Sequence, residues 1–310
     1  MGDRMKRIEY GIPTDKCGVE LRLGIEKGFF RDEGLDLAIR LVFGGPEIAA
    51  MYSSGELQIG EIGTPPATTA VAQGGRFKIV GSSIRRRALR YFVTAPNIDG
   101  WVDLRGKSIG VLSTGSCSYW FARLVLEQNG LNPNEDARII GLGQRYPDVV
   151  ELIQQGELQA AVVSEPNVSI GEQRNAFRIL KALTEPEFCP RMQWMVIVAN
   201  CDVVERDPEL VRAVLRACRQ SYHYVAENPD EFAEFSAHLF GSSVPAMRHA
   251  MARECEDMHY DCEIDLVGLE LAIDLQRRLG AFSTELQARD IIDLNYLPTR
   301  RSTFDALASA

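Results

Sequence analysis

The sequence lacks several features that would place it quickly in a functional class. No apolar run approaches the roughly 18–20 residues that cross a bilayer. The net charge of −9 gives no basis for binding nucleic acid or an anionic membrane. The seven cysteines include no CxxC pair, the usual spacing of metal and redox sites. We therefore expect no transmembrane segment, no nucleic-acid partner, no metal and no cofactor.

Two further absences concern the compartment. Residues 1–7 do not contain the apolar core of a signal peptide. An odd number of scattered cysteines suits a reducing compartment better than it suits a disulfide framework. The sequence as written therefore predicts a cytoplasmic protein, or a periplasmic one if a signal peptide has been removed.

Histidine is scarce and confined to the C-terminal part of the chain. The four residues of this type are His223, His238, His249 and His259. A histidine base is thus missing from the first two hundred residues, where most of the other polar turn residues lie. Because the four lack metal-ligand spacing, we interpret them as surface residues rather than as a metal site.

What the sequence does contain is an internal repeat. The tetrapeptide GELQ occurs at residues 55–58 and again at 156–159, and prolines flank both copies at the same distances. These prolines are Pro46, Pro147, Pro65 and Pro166. Each copy predicts an apolar helix that ends at glycine, a short buried strand and a turn into another helix. A spacing of this length is too long for a solenoid and favours two related lobes.

Short apolar strands alternate with helices through the first two hundred residues, which predicts parallel pairing with helical crossovers. The predicted class is α/β, with two pseudo-repeated lobes of mixed, mainly parallel sheets, a hinge and C-terminal helices. We expect lobe 1 at residues 1–93, lobe 2 at 94–198, and helices at 199–310 that pack back on lobe 1. The hinge is expected where the chain crosses between lobes, at 91–96 and 194–199.

Polar and glycine-rich turns connect the predicted strands to the helices that follow. Ligands of open α/β sheets bind beyond the carboxyl ends of the strands, where helix N-termini offer free N–H groups. For any single turn, N-capping and turn geometry are the favoured explanation. Turns converging from two repeats favour a shared binding cleft.

Five segments carry a resemblance to a known family. They are residues 28–35 (GFFRDEGL), 44–45 (GG), 55–58 (GELQ), 103–107 (DLRGK) and 114–116 (TGS). In this order they resemble the type II solute-binding-protein superfamily, in the branch of taurine-, alkanesulfonate- and nitrate-binding proteins and thiamine-pyrimidine synthases. The resemblance implies a periplasmic-binding-protein type II fold and a small anionic or flat heterocyclic ligand. It also implies an ABC transporter permease as partner.

The turns and the resemblance together predict one set of ligand-binding residues. The set is Thr14, Cys17, Gly44, Gly45, Gly63, Thr64, Arg85, Thr114, Gly115, Ser116, Tyr146, Glu165 and Asn167. Glu165 is expected to face the cleft, where it pairs with a ligand amine or bonds across the lobes. The arginine run that contains Arg85 is as readily a solvated face with one cleft residue at most.

The main hypothesis is a binding protein rather than an enzyme, and an enzyme of the same fold is the alternative. Cys17 lies just before the first helix, where free N–H groups and the helix dipole favour a thiolate. A desulfinase that resembles this N-terminal region has a nucleophilic cysteine in the corresponding turn, and thiamine-pyrimidine synthases are the other enzymatic relatives. Cys17 would be the catalytic residue under this alternative, and otherwise a small residue in a tight turn.

Overall fold

Two five-stranded sheets form the frame of the molecule. They were analysed in a computed structural model of the chain that describes residues 5–84, 90–183, 192–255 and 258–297. The strands, in chain order, are β1 (Lys6–Ile12), β2 (Leu35–Leu41), β3 (Ile59–Gly63), β4 (Phe77–Ser82), β5 (Tyr91–Thr94), β6 (Ser108–Val111), β7 (Arg138–Gly141), β8 (Ala160–Val163), β9 (Arg178–Ala182) and β10 (Met195–Asn200).

Each sheet contains one strand that runs antiparallel to both of its neighbours. The first sheet has the order β2-β1-β3-β10-β4, and the second has the order β7-β6-β8-β5-β9. β10 runs antiparallel to β3 and β4, and β5 runs antiparallel to β8 and β9. The chain therefore crosses between the lobes twice, once at β5 and once at β10.

The pairing registers confirm that the two sheets are copies of one arrangement. In the first sheet Ile59 faces Ala199, and in the second sheet Ala160 faces Thr94. Both antiparallel strands also carry an irregularity at the same place. β10 shifts register against β4 at Ile197/Val198, and β5 shifts against β9 at Phe92/Val93. The GELQ repeat thus reflects a duplicated fold.

Helices cover both sheets and continue beyond them. Those of the first lobe are α1 (Val19–Lys27), α2 (Phe29–Asp32), α3 (Gly45–Ser54) and α4 (Thr64–Ala72), and those of the second are α5 (Cys117–Gln128), α6 (Val149–Gln154) and α7 (Asn167–Gln173). The C-terminal ones are α8 (Cys201–Arg206), α9 (Pro208–Glu227), α10 (Pro229–Leu239), α11 (Val244–Glu254), α12 (Leu266–Arg278) and α13 (Ala288–Ile291). Short 3₁₀ helices span Trp101–Leu104 and Gly143–Asp148.

The repeated glycine ends a helix in the first copy and closes the equivalent turn in the second. Gly55 follows α3 with φ of 82°, and Gly156 follows α6 with φ of 77°. Only glycine adopts this left-handed conformation without a steric cost, and it lets the chain reverse directly into the next strand. The strands that follow, β3 and β8, are buried along their whole length.

The first sheet is covered by apolar side chains on both faces. One core contains Tyr10 and Ile197 with Leu215 of α9, and the other contains Ile62 and Ile273 of α12. A third core fills the second lobe and takes in Met247 of α11. The C-terminal helices therefore pack against both lobes.

The α10–α11 pair bridges the lobes through charged contacts as well as apolar ones. Lys27 of α1 pairs with Glu231 of α10 at 2.5 Å. Arg253 of α11 pairs with Glu172 of α7 at 2.6 Å.

The predicted α/β class with two mixed sheets and added helices is confirmed, whereas the domain limits stay a prediction. Within the described ranges, no helix is both long enough and apolar enough to cross a membrane.

Candidate functional site

A polar cavity lies between the two sheets, at the turns that follow their strands. Its walls come from both lobes and from the end of α11. The lining residues are Thr14, Lys16, Cys17, Glu61, Ser83, Arg90, Ser164, Glu165, Trp194, Met195 and Glu254. The cavity thus lies where the duplicated topology predicts a ligand site, beyond the carboxyl ends of parallel strands.

Arg90 is the cation held deepest in this cavity. The residue is 8% exposed, and its guanidinium carbon lies 5.1 Å from the centre of the Trp194 ring. Its Nη1 donates to the Tyr146 hydroxyl at 3.5 Å, and its Nε has no hydrogen-bond partner among the described residues. Arg90 takes part in none of the ion pairs found among the described residues. A buried guanidinium with a free donor favours an anionic ligand.

The turn after β1 forms the opposite wall. The Thr14 hydroxyl accepts the Lys16 backbone N–H at 3.2 Å and lies 3.5 Å from the Cys17 sulfur. Lys16 Nζ lies 3.0 Å from the Asp15 carboxylate and 4.1 Å from the centre of the Phe240 ring. This turn therefore presents a hydroxyl, a thiol and a second cation to the same space.

Glu61 is an acidic residue inside the buried strand β3. The Tyr10 and Tyr222 hydroxyls lie 3.5 and 3.4 Å from one of its carboxylate oxygens. Burial raises the pKa of both tyrosines well above the usual range, and the nearby Glu61 carboxylate raises it further. Both hydroxyls therefore stay protonated and can donate to Glu61.

Glu165 follows β8 and is 6% exposed. It accepts hydrogen bonds from the backbone N–H and the hydroxyl of Ser169, both at 2.9 Å, and pairs with Arg253 at 3.2 Å. Burial raises the pKa of this carboxyl to about 7, and the neighbouring Glu254 contributes to the rise. Glu165 therefore gains or loses a proton near neutral pH while it lines the cavity.

The predicted ligand-binding residues fall into two groups. Thr14, Cys17 and Glu165 line the polar cavity. Arg85 lies outside the described residues. The others are described by the structure but do not line this cavity; they are Gly44, Gly45, Gly63, Thr64, Thr114, Gly115, Ser116, Tyr146 and Asn167. Ligand contact by any of these residues stays a prediction.

The turn after β6 shows why some of the second group lie away from the cavity. A Cβ added to Gly63 would lie 2.2 Å from the Cys117 sulfur, and one added to Gly115 would lie 3.2 Å from Pro46. This half of the interface is therefore filled by direct packing between the lobes. Thr64 is bonded there as well, since its N–H donates to the Trp194 carbonyl at 2.8 Å.

Tyr146 supports the cavity from behind. Its hydroxyl donates to the Val162 carbonyl at 3.0 Å and accepts from Arg90. Asn167 is buried at the start of α7, and its side-chain nitrogen has no hydrogen-bond partner among the described residues.

Sequence reasoning missed most of the polar lining. The cavity residues outside the predicted set are Lys16, Glu61, Ser83, Arg90, Ser164, Trp194, Met195 and Glu254. A signal was present for Glu61, because an acidic residue inside an apolar strand is rarely buried without a purpose. For Arg90 the signal was the arginine-rich segment at residues 85–90, in which Arg85 was predicted to bind the ligand. Glu254 had no signal, because its position depends on how α11 packs across the lobes.

The comparisons with known proteins agree with this geometry. The family described as "NMT1/THI5 like" matches residues 20–232. The taurine-binding periplasmic protein of Escherichia coli K12 is 26% identical over 207 residues, which cover 65% of this chain and 61% of that protein.

Two solved structures have a similar fold. The alkanesulfonate-binding protein SsuA from Xanthomonas axonopodis pv. citri, bound to MOPS, has a TM-score of 0.76 at 16% identity and covers 94% of this chain and 98% of its own. A cysteine-to-serine variant of DSZB in complex with biphenyl-2-sulfinic acid has a TM-score of 0.65 at 15% identity, covering 99% and 100%. These findings confirm the fold and the resemblance predicted from the sequence.

Proposed function

Since the chain belongs to the NMT1/THI5-like family, we propose that it is a substrate-binding protein that holds a small organic anion in the polar cavity between its lobes. The observation that carries the proposal is Arg90. Its guanidinium is nearly buried, lies against Trp194 and takes part in none of the ion pairs found among the described residues. A planar cation of this kind matches carboxylate, sulfonate and phosphonate oxygens.

Two of the three acidic residues of the cavity, Glu61 and Glu165, are compatible with this assignment. Glu61 has the hydroxyls of Tyr10 and Tyr222 close to one carboxylate oxygen. Glu165 has a pKa raised to about 7 by burial, so a sizeable fraction of it is neutral at physiological pH. Hydroxyls of Thr14 and Ser83 add donors that any acid can use.

The ring of Trp194 also bears on the choice of ligand. A flat heterocycle usually stacks on an aromatic ring, and here Arg90 lies over that ring. This arrangement favours an acid over a flat heterocycle. In keeping with the taurine- and alkanesulfonate-binding relatives, we extend the proposal to a sulfonate or carboxylate ligand and to an ABC transporter as partner. The compartment follows from that partner and is periplasmic under this proposal.

The test is a calorimetric titration with simple sulfonates and carboxylates, preceded by thermal-shift screening, because a ligand of the native state raises stability. Arg90→Gln should weaken binding on the order of a hundredfold, the usual result of truncating a buried charge partner. Arg123→Gln is the matched control, because Arg123 also lies near an aromatic ring, 5.7 Å from that of Tyr119, but away from the cavity. Equal affinities of the two variants would exclude Arg90 as the ligand's partner.

An enzymatic role is the second candidate, and the position of Cys17 supports it. The thiol lines the same cavity as Arg90, and the DSZB structure shows a related fold in which a cysteine was replaced before a sulfinate was bound. Incubation with aryl sulfinates would release sulfite if Cys17 acts as a nucleophile. Turnover by the wild type that disappears in Cys17→Ser, with binding retained, would favour the enzyme over the binding protein.

A further inference from the structure

A second cavity adjoins the polar one beneath the α10–α11 pair. Lys16, Glu165 and Glu254 line both cavities. Because the two spaces share these residues, they are neighbours, and the side chains of Lys16, Glu165 and Glu254 lie at the boundary between them.

The chemistry of the second cavity is different from that of the first. Beyond the shared rim, its walls are mostly apolar and include Val19, Phe232, Met247 and Met251. Methionine side chains are unbranched and polarisable, so they adjust to apolar groups of different shape. A wall of this composition favours an alkyl chain or an aromatic ring over a charged group.

One polar atom in this apolar wall also points to a ligand. Ser236 lies in α10 and is 5% exposed, and its hydroxyl has no hydrogen-bond partner among the described residues. A buried hydroxyl without a hydrogen-bond partner destabilises the fold, because it has given up its bonds to water. An oxygen atom along a bound molecule would satisfy it, and this makes the wall a site rather than an ordinary core.

All three parts of the molecule contribute to this cavity. Val19 comes from the first lobe, Pro166 from the second, and Phe232 and Met251 from α10 and α11. The ion pairs Lys27–Glu231 and Arg253–Glu172 hold the helix pair against the two lobes. The cavity is therefore complete only when the lobes and the helix pair are together, which is also what a ligand between the lobes requires.

We propose that this methionine-lined cavity is the subsite for the apolar part of the ligand, which makes the ligand an amphiphilic acid. The acidic group lies at Arg90, and an alkyl chain or ring extends past Glu165 into the space between Phe232 and Met251. The proposal rests on the proposed function for the position of the acid. It adds that apolar length, rather than the acid alone, decides affinity.

The experiment is a calorimetric titration of the full chain with the straight-chain series from methanesulfonate to decanesulfonate. Each methylene that enters the apolar cavity should tighten binding about fourfold, until the cavity is filled and the affinity levels off. Binding of methanesulfonate should depend on Arg90 and should be unaffected by changes in the apolar cavity. A tail that stays in water would leave the affinity the same along the whole series.

Two variants of α11 change the cavity in opposite directions. Ala250 is buried and lines it, so Ala250→Leu fills part of the space and should make the affinity level off at a shorter chain. Met251→Ala enlarges the space and should move that point to a longer chain. Ala252→Leu, on the exposed side of the same helix, should leave the dependence on length unchanged.

The outcomes separate this inference from the proposed function. Arg90-dependent binding of methanesulfonate with no gain along the series overturns the subsite and leaves the binding function intact. Tighter binding of sulfonates that end in an ammonium group than of those that end in methyl would assign Glu165 and Glu254 to a cation and also overturn it. If no member of the series and no carboxylate analogue binds, both proposals fail. Should Ala250→Leu not fold, Met251→Ala decides the test.

Discussion

The turn after β1 and the turn after β6 occupy the same place in the duplicated fold, and their surroundings differ. The first presents Thr14 and Cys17 to the polar cavity. The second carries Cys117, which is buried against Gly63 of the opposite lobe. The duplication therefore fixes where a turn lies along its sheet, and the contact between lobes decides whether it can meet a ligand.

The largest expected difference between the two turns is in thiol chemistry. Burial raises the pKa of Cys117 to about 12. At mildly alkaline pH its thiolate is then on the order of a thousandfold scarcer than that of an ordinary cysteine. We expect iodoacetamide to modify Cys17 in the native protein while Cys117 stays unmodified, as measured by peptide mass spectrometry. Exposed Cys255 is the positive control, and comparable rates at Cys17 and Cys117 would contradict the difference.

The packed half of the interface can be disturbed with one methyl group. Gly63→Ala places a Cβ 2.2 Å from the Cys117 sulfur, and φ of −68° at Gly63 imposes no backbone strain on alanine. Overpacking of this kind should lower the free energy of unfolding by about 1–3 kcal/mol, measured by urea denaturation.

A double substitution shows whether the lobe contact is the cause. Cys117→Ala removes the sulfur, so the effects of the two changes should be clearly less than additive. Simple additivity would mean that Gly63→Ala acts within its own lobe.

Much of the fold is predictable from sequence because strand and helix signals are local. The strand at β2, the glycine after α3 and the proline-started α9 follow from patterns within a dozen residues. The strand order of the sheets is less local, because Tyr91–Thr94 pairs with β8 and β9 rather than with the next strand, and Met195–Asn200 pairs with β3 and β4 of the first lobe. Their pairing partners depend on chain closure, which no pattern within either segment records.

The site was harder to predict for a similar reason. Cys17 and Cys117 occupy equivalent positions in the repeat, so the sequence does not show which of them lines a cavity. The difference arises because Gly63 packs against Cys117. Several arginines near Arg90 in the sequence are equally good candidates for binding the ligand. The structure distinguishes Arg90, because its guanidinium lies against the ring of Trp194 from the second crossing. Contacts between distant segments, rather than turn composition, determine the polar lining.

The stability of the protein should depend on pH through Glu165, which lines the polar cavity between the lobes. Its pKa is raised from 4.5 to about 7, so between these values the folded protein keeps a proton that the unfolded chain releases. Stability from this group is complete below about pH 4.5 and is lost as the pH rises through 7. The free energy of unfolding of the wild type should be lower at pH 8 than at pH 5. In Glu165→Gln this decrease should be smaller by about 1–3 kcal/mol.

Glu231→Gln is the matched control for this dependence. The pKa of Glu231 is lowered, mainly by its hydrogen bond with Lys27, so its contribution is present above pH 4.5 and is lost at lower pH. This substitution should leave the change between pH 5 and pH 8 in place. A wild-type profile that is flat across that range would show that Glu165 does not titrate there.

The smallest expected effect compares two buried tyrosines. The Tyr146 hydroxyl accepts from Arg90, whereas the Tyr52 hydroxyl donates to the carbonyls of Gly11 and Glu61. Either change to phenylalanine should cost about 1 kcal/mol of stability. Only Tyr146→Phe should also weaken ligand binding, by a few fold, because Arg90 loses a contact. Equal affinities of both variants would show that Tyr146 does not position Arg90.

The crossed strands have a consequence for the order in which the protein takes shape on the ribosome. All five strands of the second sheet lie in one continuous stretch, from Tyr91 to Ala182. The first sheet begins earlier but needs β10 between β3 and β4, so it stays incomplete until Asn200 has been synthesised. The lobe that is translated first is therefore the one whose sheet is finished last, because the edges of β3 and β4 that pair with β10 have no strand beside them until β10 has been synthesised.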